Sequence, residues 1–252
     1  MSESSRDLFV TEFAARLRAA RRVTVLTGAG VSAASGVPTF RSAGGLWRNF
    51  SATELATPDA FARDPQTVWE WYAWRREQIA ACAPNPAHAV LAAWTHRHDG
   101  WRVITQNVDD LHLRAGTNGL VRLHGSIWEL RCWNGCAKGQ HAWRDGRVPF
   151  PTMPPRCKHC GGLARPGVVW FGESLDEADL DAAAALTACD VFITAGTSAV
   201  VYPAAGLVRQ ARARGAFTVE LNVESTDATS GVDLAIHAPA EETLAAVDAL
   251  LG

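Results

Sequence analysis

Four of the six cysteines form two close pairs. Cys132 and Cys136 are separated by three residues, Cys157 and Cys160 by two, and about twenty residues lie between the pairs. Four thiolates at such spacing are the ligand set of a tetrahedral structural zinc site, which leaves no position for a catalytic water. The pattern therefore predicts a zinc ribbon that holds one structural zinc ion. His159 lies between the ligands of the second pair and is a weaker candidate for a ligand.

A glycine-rich turn follows the first predicted strand. The β-branched run at 23–26 leads into Gly28, Ala29 and Gly30, and small residues that include Ser32 come next. Glycines let backbone N–H groups approach an anion closely, and the start of a helix adds partial positive charge. The turn is therefore predicted to bind phosphate. Strand-to-helix packing is the alternative, because the spacing departs from the G-x-G-x-x-G pattern.

The next loop carries an aromatic residue, a cation and a second glycine hinge. Phe40 and Arg41 precede the glycines at 44–45, and Trp47 follows them. This composition is typical of a flap that closes over a bound ligand.

Three further predicted strands end in polar or small residues. The strands at 101–105, 190–195 and 217–221 alternate with predicted helices, which indicates an α/β fold with a parallel, doubly wound sheet. Ligands bind such sheets beyond the carboxyl ends of the strands, although Asn107 or Asp109 could instead cap the following helix. The residues at these strand ends are Gln106, Asn107, Val108 and Asp109, then Gly196, Thr197 and Ser198, and finally Asn222, Val223 and Glu224.

Tyr72 and Arg75 are three residues apart in a segment of helical composition and therefore share one helix face. A phenol beside a guanidinium makes a carboxylate receptor, because Arg offers a planar fork and Tyr one further donor. The alternative is a solvated helix on which Arg75 pairs with Glu70 or Glu77.

His124 follows a short predicted strand and stands in a His-Gly-Ser turn. The glycine leaves the imidazole accessible, and an imidazole pKa suits proton transfer at neutral pH. A structural histidine is the alternative for His124, and we interpret His112 as structural.

Composition argues against several classes of protein. The net charge of −2 over 252 residues predicts neither nucleic-acid binding nor a basic membrane-binding patch. We find no signal-peptide pattern and no apolar run approaching the roughly 20 residues of a membrane span. We therefore expect a cytoplasmic monomer in which Cys82 and Cys189 are buried free thiols.

Four separated motifs together resemble one family. They read GAGVSAASGVPTFR at 28–41, TQNVDDLH at 105–112, LHGS at 123–126 and GTS at 196–198. In this order the chain resembles the sirtuin family of NAD-dependent protein deacylases, in register from about Val23 to the C-terminus. The resemblance implies a Rossmann-like NAD domain at 1–48, 86–125 and 166–252. It also implies a smaller domain made of a helical module at 49–85 and the zinc ribbon at 126–165.

The resemblance also assigns roles to residues around NAD, which the family consumes as a co-substrate. His124 would be the general base, Asn107 and Asp109 would position nicotinamide and its ribose together with Gln106, and Arg41 with the Gly28 turn would hold the diphosphate. Ala240 would contact the adenine through its backbone.

On the substrate side, the resemblance implies acylated-lysine proteins or peptides as partners. Val168, Trp170 and Phe171 match the segment that binds the substrate backbone by strand addition, with an ordinary β-strand as the alternative. Relatives with a Tyr-x-x-Arg pair prefer succinyl and malonyl groups, and Ala56 matches a small residue that widens their acyl pocket. The expected activity is therefore desuccinylation or demalonylation with some deacetylation. The alternatives are mainly a deacetylase, a protein ADP-ribosyltransferase, an NAD-dependent oxidoreductase or a non-catalytic binding module.

Overall fold

The computed structural model describes residues 3–38, 47–48 and 50–252, and for residues 3–6 the backbone alone. Phe40 and Arg41 of the predicted flap lie outside the described residues. Among the helices that are described, none combines the length and the apolar character needed to cross a bilayer.

A six-stranded parallel sheet forms the larger part of the fold, as predicted. Its order is β3-β2-β1-β7-β8-β9, so the chain proceeds outward from β1 on one side and from β7 on the other. The strand order therefore reverses between β1 and β7, where open α/β sheets bind ligands. The strands are β1 (Val23–Thr27), β2 (Trp101–Thr105), β3 (Val121–Arg122), β7 (Val191–Ala195), β8 (Phe217–Asn222) and β9 (Leu234–His237).

Helices cover both faces of this sheet because its central strands are apolar on both sides. All five residues of β1 are buried. Phe13, Trp94 and Leu244 pack on one face with Val25, whereas Phe192 packs with the helices of the other face. The helices of the first face are α1 (Glu3–Ala19), α5 (Pro86–Arg97) and α9 (Ala240–Leu251), and those of the second are α7 (Glu177–Ala185) and α8 (Leu207–Ala213).

A second, antiparallel sheet of order β5-β4-β6 carries the cysteines. Its strands are β4 (Gly125–Cys132), β5 (Trp143–Arg144) and β6 (Ala164–Val168). The segment predicted to be helical packs against it as α2 (Ala52–Leu55), α3 (Pro58–Arg63) and α4 (Pro65–Ala80). The domain boundaries given above stay a prediction, but both expected modules meet in this second core.

The helical segment is divided at Thr57 and Asp64, each of which stands directly before a proline, a sequence pattern that predicts a helix start. Thr57 Oγ1 accepts a hydrogen bond from Ala60 N at 3.1 Å, and Asp64 Oδ1 accepts one from Thr67 N at 3.0 Å. Each cap precedes a proline in the first helical turn, where a missing N–H costs nothing. These caps fix the direction of α4, which carries Tyr72 and Arg75.

Candidate active site

The turns after β1 and β7 touch through their backbones. A Cβ built on Gly28 would lie 2.8 Å from the Gly196 carbonyl oxygen, and one on Gly30 would lie 2.7 Å from Gly196 Cα. Gly28 N and Gly30 N donate to the carbonyl oxygens of Ala195 and Gly196 at 3.0 and 2.8 Å. The turn continues as a 3-10 helix, Ala29–Ser35. These glycines therefore permit close backbone approach, as the packing alternative predicts, and the amides of Gly28 and Gly30 donate within the protein. Their contact with NAD stays a prediction.

A polar cluster of Ser32, Asn107 and Asp109, of which Ser32 and Asp109 are buried, lies beside this junction. Ser32 Oγ donates to Asp109 Oδ2 at 2.7 Å, and Asn107 Nδ2 donates to Ser32 Oγ at 3.1 Å and to the Gly28 carbonyl oxygen at 3.0 Å. Burial raises the pKa of Asp109. Its Oδ1 also accepts from Leu111 N at 2.9 Å at the start of α6 (Leu111–Arg114). The N-cap residue of α6 is Asp110, so the prediction that Asn107 or Asp109 would be the N-cap is wrong, although Asp109 binds the first amide of the helix.

Two buried histidines, His88 and His112, lie next to the polar cluster. His88 Nε2 is 3.4 Å from Ser32 Oγ, His112 Nε2 is 2.9 Å from Thr27 Oγ1, and the two rings are 4.8 Å apart. Burial lowers the pKa of His88 to about 4 and that of His112 to about 3, so both are neutral at pH 7. Sequence reasoning did not single out His88. Its one signal is local: with Asn85 it forms the capping box at the start of α5.

The candidate base, His124, follows β3 at the same edge of the sheet. Its Nδ1 lies 2.9 Å from the Gln106 carbonyl oxygen, and since a carbonyl only accepts, Nδ1 carries the proton. This leaves Nε2 as the acceptor of the neutral ring. Burial lowers the pKa of His124 against the opposing effect of that hydrogen bond, so a neutral base is present at pH 7.

The ends of β2, β7 and β8 converge on Thr197. Gln106 Nε2 donates to Thr197 Oγ1 at 3.0 Å, and Asn222 Nδ2 donates to the Thr197 carbonyl oxygen at 3.0 Å. Val223 and Glu224 are exposed beyond β8. Ser198 and Trp47 are partly buried, and Ala240 is buried as the first residue of α9.

Two polar atoms in the described segments that follow β1 and β2 are buried without a hydrogen-bond partner, as expected where the polar groups of NAD or a water molecule bind. Within the described part of the chain, the buried atoms Ser35 Oγ and His112 Nδ1 have no hydrogen-bond partner. Such atoms call for a ligand or a water molecule.

The four paired cysteines come together as predicted. Their Sγ atoms all lie within 4.8 Å of one another, with Cys132 to Cys160 at 3.6 Å and Cys136 to Cys157 at 3.8 Å. A tetrahedron with Zn–S distances of about 2.3 Å has sulfur–sulfur edges of about 3.8 Å. The cluster therefore fits one structural zinc ion. The exposed residue His159 is not part of it.

Tyr72 and Arg75 lie where α4 faces the second core. Tyr72 is 2% exposed, its hydroxyl accepts from Trp170 Nε1 at 2.9 Å, and burial raises its pKa to about 12. Burial lowers the pKa of Arg75, whereas the nearby groups of Tyr72 and Asp109 raise it. Glu70, one alternative partner of Arg75, is bonded to Arg48 and Gln66.

The segment expected to bind the substrate backbone only partly resembles a strand. β6 ends at Val168, and the following amides donate within the protein: Val169 N to His124 O, and Phe171 N to the carbonyl oxygen of the buried residue Ala56. Trp170 is buried, and the Phe171 side chain is 43% exposed. The Trp170 side chain thus packs in the core. Strand addition at this segment stays a prediction.

Comparison with known proteins places this geometry in a family. The Sir2 family model matches residues 28–203, well over half of the chain. An NAD-dependent protein deacylase of Aquifex aeolicus is 48% identical over 84% of this chain and 87% of its own length. The dog mitochondrial NAD-dependent protein deacylase sirtuin-5 is 45% identical over 89% of this chain and 80% of its own.

A solved structure gives the same result. A Sir2 homologue in complex with NAD superimposes with a TM-score of 0.88 at 41% identity and covers 96% of this chain and 95% of its own. The chain therefore belongs to the Sir2, or sirtuin, family and is an NAD-dependent protein deacylase with a four-cysteine site for structural zinc.

Proposed function

We propose that this deacylase prefers acidic acyl groups, succinyl and malonyl, on protein lysine side chains. The observation that supports the proposal is the pairing of Tyr72 and Arg75 on one face of α4, with the pKa of Arg75 influenced by both Tyr72 and Asp109. Asp109 belongs to the polar cluster with Ser32 and Asn107 beside the glycine turns. The charge of Arg75 is therefore felt both by that cluster and by Tyr72 on α4.

The protonation states of the pair suit a carboxylate. A Tyr72 pKa of about 12 keeps the phenol neutral, so it remains a hydrogen-bond donor throughout the working pH range. Arg75 remains protonated at pH 7, since an arginine side chain is not deprotonated in proteins. A guanidinium and a phenol then provide a charge-assisted bond and a neutral bond to the distal carboxylate of the acyl group. An acetyl group has no such carboxylate.

We assign the bond-making steps to the cluster around His124. The acyl carbonyl oxygen bonds to C1' of the NAD ribose as the bond to nicotinamide breaks and its electron pair leaves with nicotinamide. Nε2 of His124 would accept the proton of a ribose hydroxyl, whose oxygen bonds to the acyl carbon as the bond from that carbon to the lysine nitrogen breaks and the nitrogen takes up a proton. Water would then bond to the acyl carbon as its bond to the oxygen on C1' breaks, which leaves the acyl group on the ribose oxygen. Acyl-lysine, NAD and water are consumed, and lysine, nicotinamide and O-acyl-ADP-ribose are released. Asn107 and Asp109 act by holding the reacting groups in place.

The test compares kcat/KM on two peptides that differ only in a succinyl or acetyl group. The wild-type enzyme is expected to favour the succinyl peptide. Arg75→Met should lower the succinyl-to-acetyl ratio of kcat/KM by a factor that corresponds to about 2 to 4 kcal/mol, the effect of losing a buried charge-assisted interaction. Arg63→Met, which removes an equal charge from an exposed position in α3, should leave the ratio unchanged. A wild-type preference for acetyl, or an Arg75→Met enzyme that keeps the succinyl preference, contradicts the proposal.

The same assay separates the other chemistries. A deacylase releases free nicotinamide and unmodified lysine, whereas an oxidoreductase produces NADH absorbance. An ADP-ribosyltransferase leaves a peptide that is heavier by an ADP-ribose. His124→Ala should abolish turnover, whereas a non-catalytic binding module would be insensitive to it.

A further inference from the structure

Trp170 is a buried residue whose indole contacts Tyr72, one member of the acyl-recognition pair Tyr72 and Arg75. Its side chain is 2% exposed, and its indole Nε1 lies 2.9 Å from the Tyr72 hydroxyl oxygen. An indole N–H only donates, so the phenol oxygen is the acceptor in this bond. The sequence assigned Trp170 to the substrate backbone, but the structure directs its one polar atom at Tyr72.

This bond restricts the direction in which Tyr72 can donate. A phenolic hydrogen lies close to the ring plane and has two favoured positions, one on each side of the C–O bond. The indole hydrogen occupies the space on one side of the oxygen, so the hydroxyl hydrogen must point to the other. The Tyr72 donor is therefore already oriented before an acyl group arrives, which lowers the entropic cost of binding.

Trp170 is itself held by an ion pair. The Arg165 guanidinium carbon is 3.5 Å from the centre of the Trp170 ring. Glu173 accepts from Arg165 through both carboxylate oxygens, at 2.5 and 2.8 Å, and also from Trp170 N at 2.8 Å. One carboxylate thus fixes both the backbone of Trp170 and the cation above its ring. Burial raises the pKa of Glu173, but the hydrogen bonds from Arg165 and from the Trp170 amide outweigh this effect and lower it, so the carboxylate stays ionised.

We propose that Trp170 is a positioning residue for acyl selectivity, which orients the Tyr72 hydroxyl toward the distal carboxylate of a succinyl or malonyl group. Arg165 and Glu173 maintain this arrangement from behind the indole. The inference rests on the proposed function, since it concerns how the acyl-recognition pair is prepared for an acidic group.

The decisive variant is Trp170→Phe, which keeps an aromatic ring and removes the indole N–H. The succinyl-to-acetyl ratio of kcat/KM should fall about three- to tenfold, the effect of one neutral hydrogen bond. The loss should appear in KM for the succinyl peptide with kcat nearly unchanged, because the contact is remote from the reacting atoms. Trp94→Phe loses an indole bond to Asp248 in the other core and should leave the ratio unchanged.

A double-mutant cycle distinguishes orientation from packing. In a Tyr72→Phe background, Trp170→Phe should have no further effect on the ratio, because the indole no longer has a phenol to orient. An unchanged ratio in the single variant, an equal loss for both peptides, or a full additional loss in the double variant would each overturn the inference.

Two further measurements keep the test decisive. If Trp170→Phe does not fold, Glu173→Gln takes its place, because it weakens the ion pair between Glu173 and Arg165. This variant should also lower the succinyl-to-acetyl ratio, but by less than Trp170→Phe. An unchanged ratio overturns the inference. The wild-type ratio is measured first. A wild-type enzyme without succinyl preference refutes the proposed function, whereas a preference that survives these substitutions refutes the role of Trp170 alone.

Discussion

Two neighbouring arginines of α4 have different surroundings, and this difference gives a quantitative prediction for Arg76→Met. Arg76 is 1% exposed, and burial lowers its pKa to about 10, so it is protonated at pH 7. Its Nε donates to the Ile127 carbonyl oxygen at 2.8 Å, and a second nitrogen donates to the Asp145 carbonyl oxygen. Arg76 therefore links α4 to β4 and to the chain after β5.

The expected loss follows from these contacts. Two hydrogen bonds from a charged donor contribute about 3 to 6 kcal/mol together. Removing the buried charge also removes the cost of its desolvation, which offsets part of this loss of stability. The Asp145 carboxylate is not left unpaired, because Arg147 Nε contacts both of its oxygens at 3.0 Å. We therefore expect a net destabilisation of about 3 kcal/mol, which for a chain of this length lowers Tm by roughly 6 to 12 °C.

The measurement is thermal unfolding of the zinc-loaded protein. Arg63→Met serves as the control, since Arg63 is exposed in α3 and its replacement should change the free energy of unfolding by about 0.5 kcal/mol or less. An Arg76→Met protein that melts within about 2 °C of wild type would refute this accounting. At 25 °C, where the variant remains folded, it should keep the wild-type succinyl-to-acetyl ratio, whereas Arg75→Met should lose it.

Three further predictions concern the base, the metal and the buried histidines. With burial lowering the pKa of His124, kcat/KM should rise with pH through a value below 6.5 and be flat above pH 7; a rise centred above 7 would contradict a buried neutral base. Replacing the exposed ligand in Cys160→Ser should reduce zinc content and Tm together, measured by metal analysis and thermal unfolding; a variant that melts like wild type without zinc would contradict a structural ion. Burial lowers the pKa values of His88 and His112 from 6.5 to about 4 and about 3, so the unfolded chain binds more protons than the folded chain below pH 6.5. The free energy of unfolding should therefore fall as the pH drops from 6.5 toward 4. His112→Gln should make this fall with pH less steep.

Local signals account for the parts of the fold that were predicted correctly. The apolar runs of β1 and β7 leave little choice except buried parallel strands, and the Thr57-Pro58 and Asp64-Pro65 pairs mark helix starts through capping chemistry that acts over three residues. The four-cysteine site was equally accessible, because ligand spacing encodes it directly.

Apart from the local capping box of Asn85 and His88, the contacts that sequence reasoning missed join distant parts of the chain. The bond between Trp170 and Tyr72 spans 98 residues, and Arg76 reaches Ile127 across 51. Periodicity identifies a helix face but not which of two adjacent arginines is buried in a core. The partner of the glycine turn could not be predicted for the same reason, since Gly28 and Gly30 pack against Gly196, which follows another strand.

The interlocked backbones of Gly28, Gly30 and Gly196 restrict how such an enzyme can diversify. No side chain fits at this junction, so substitution there offers no route to a new substrate preference. Under the function proposed above, acyl preference depends on α4 and its supporting residues, of which Tyr72 and Trp170 belong to a separate hydrophobic core. The junction of the two glycine turns is thus fixed by backbone contact, a constraint that does not apply to the side chains of α4.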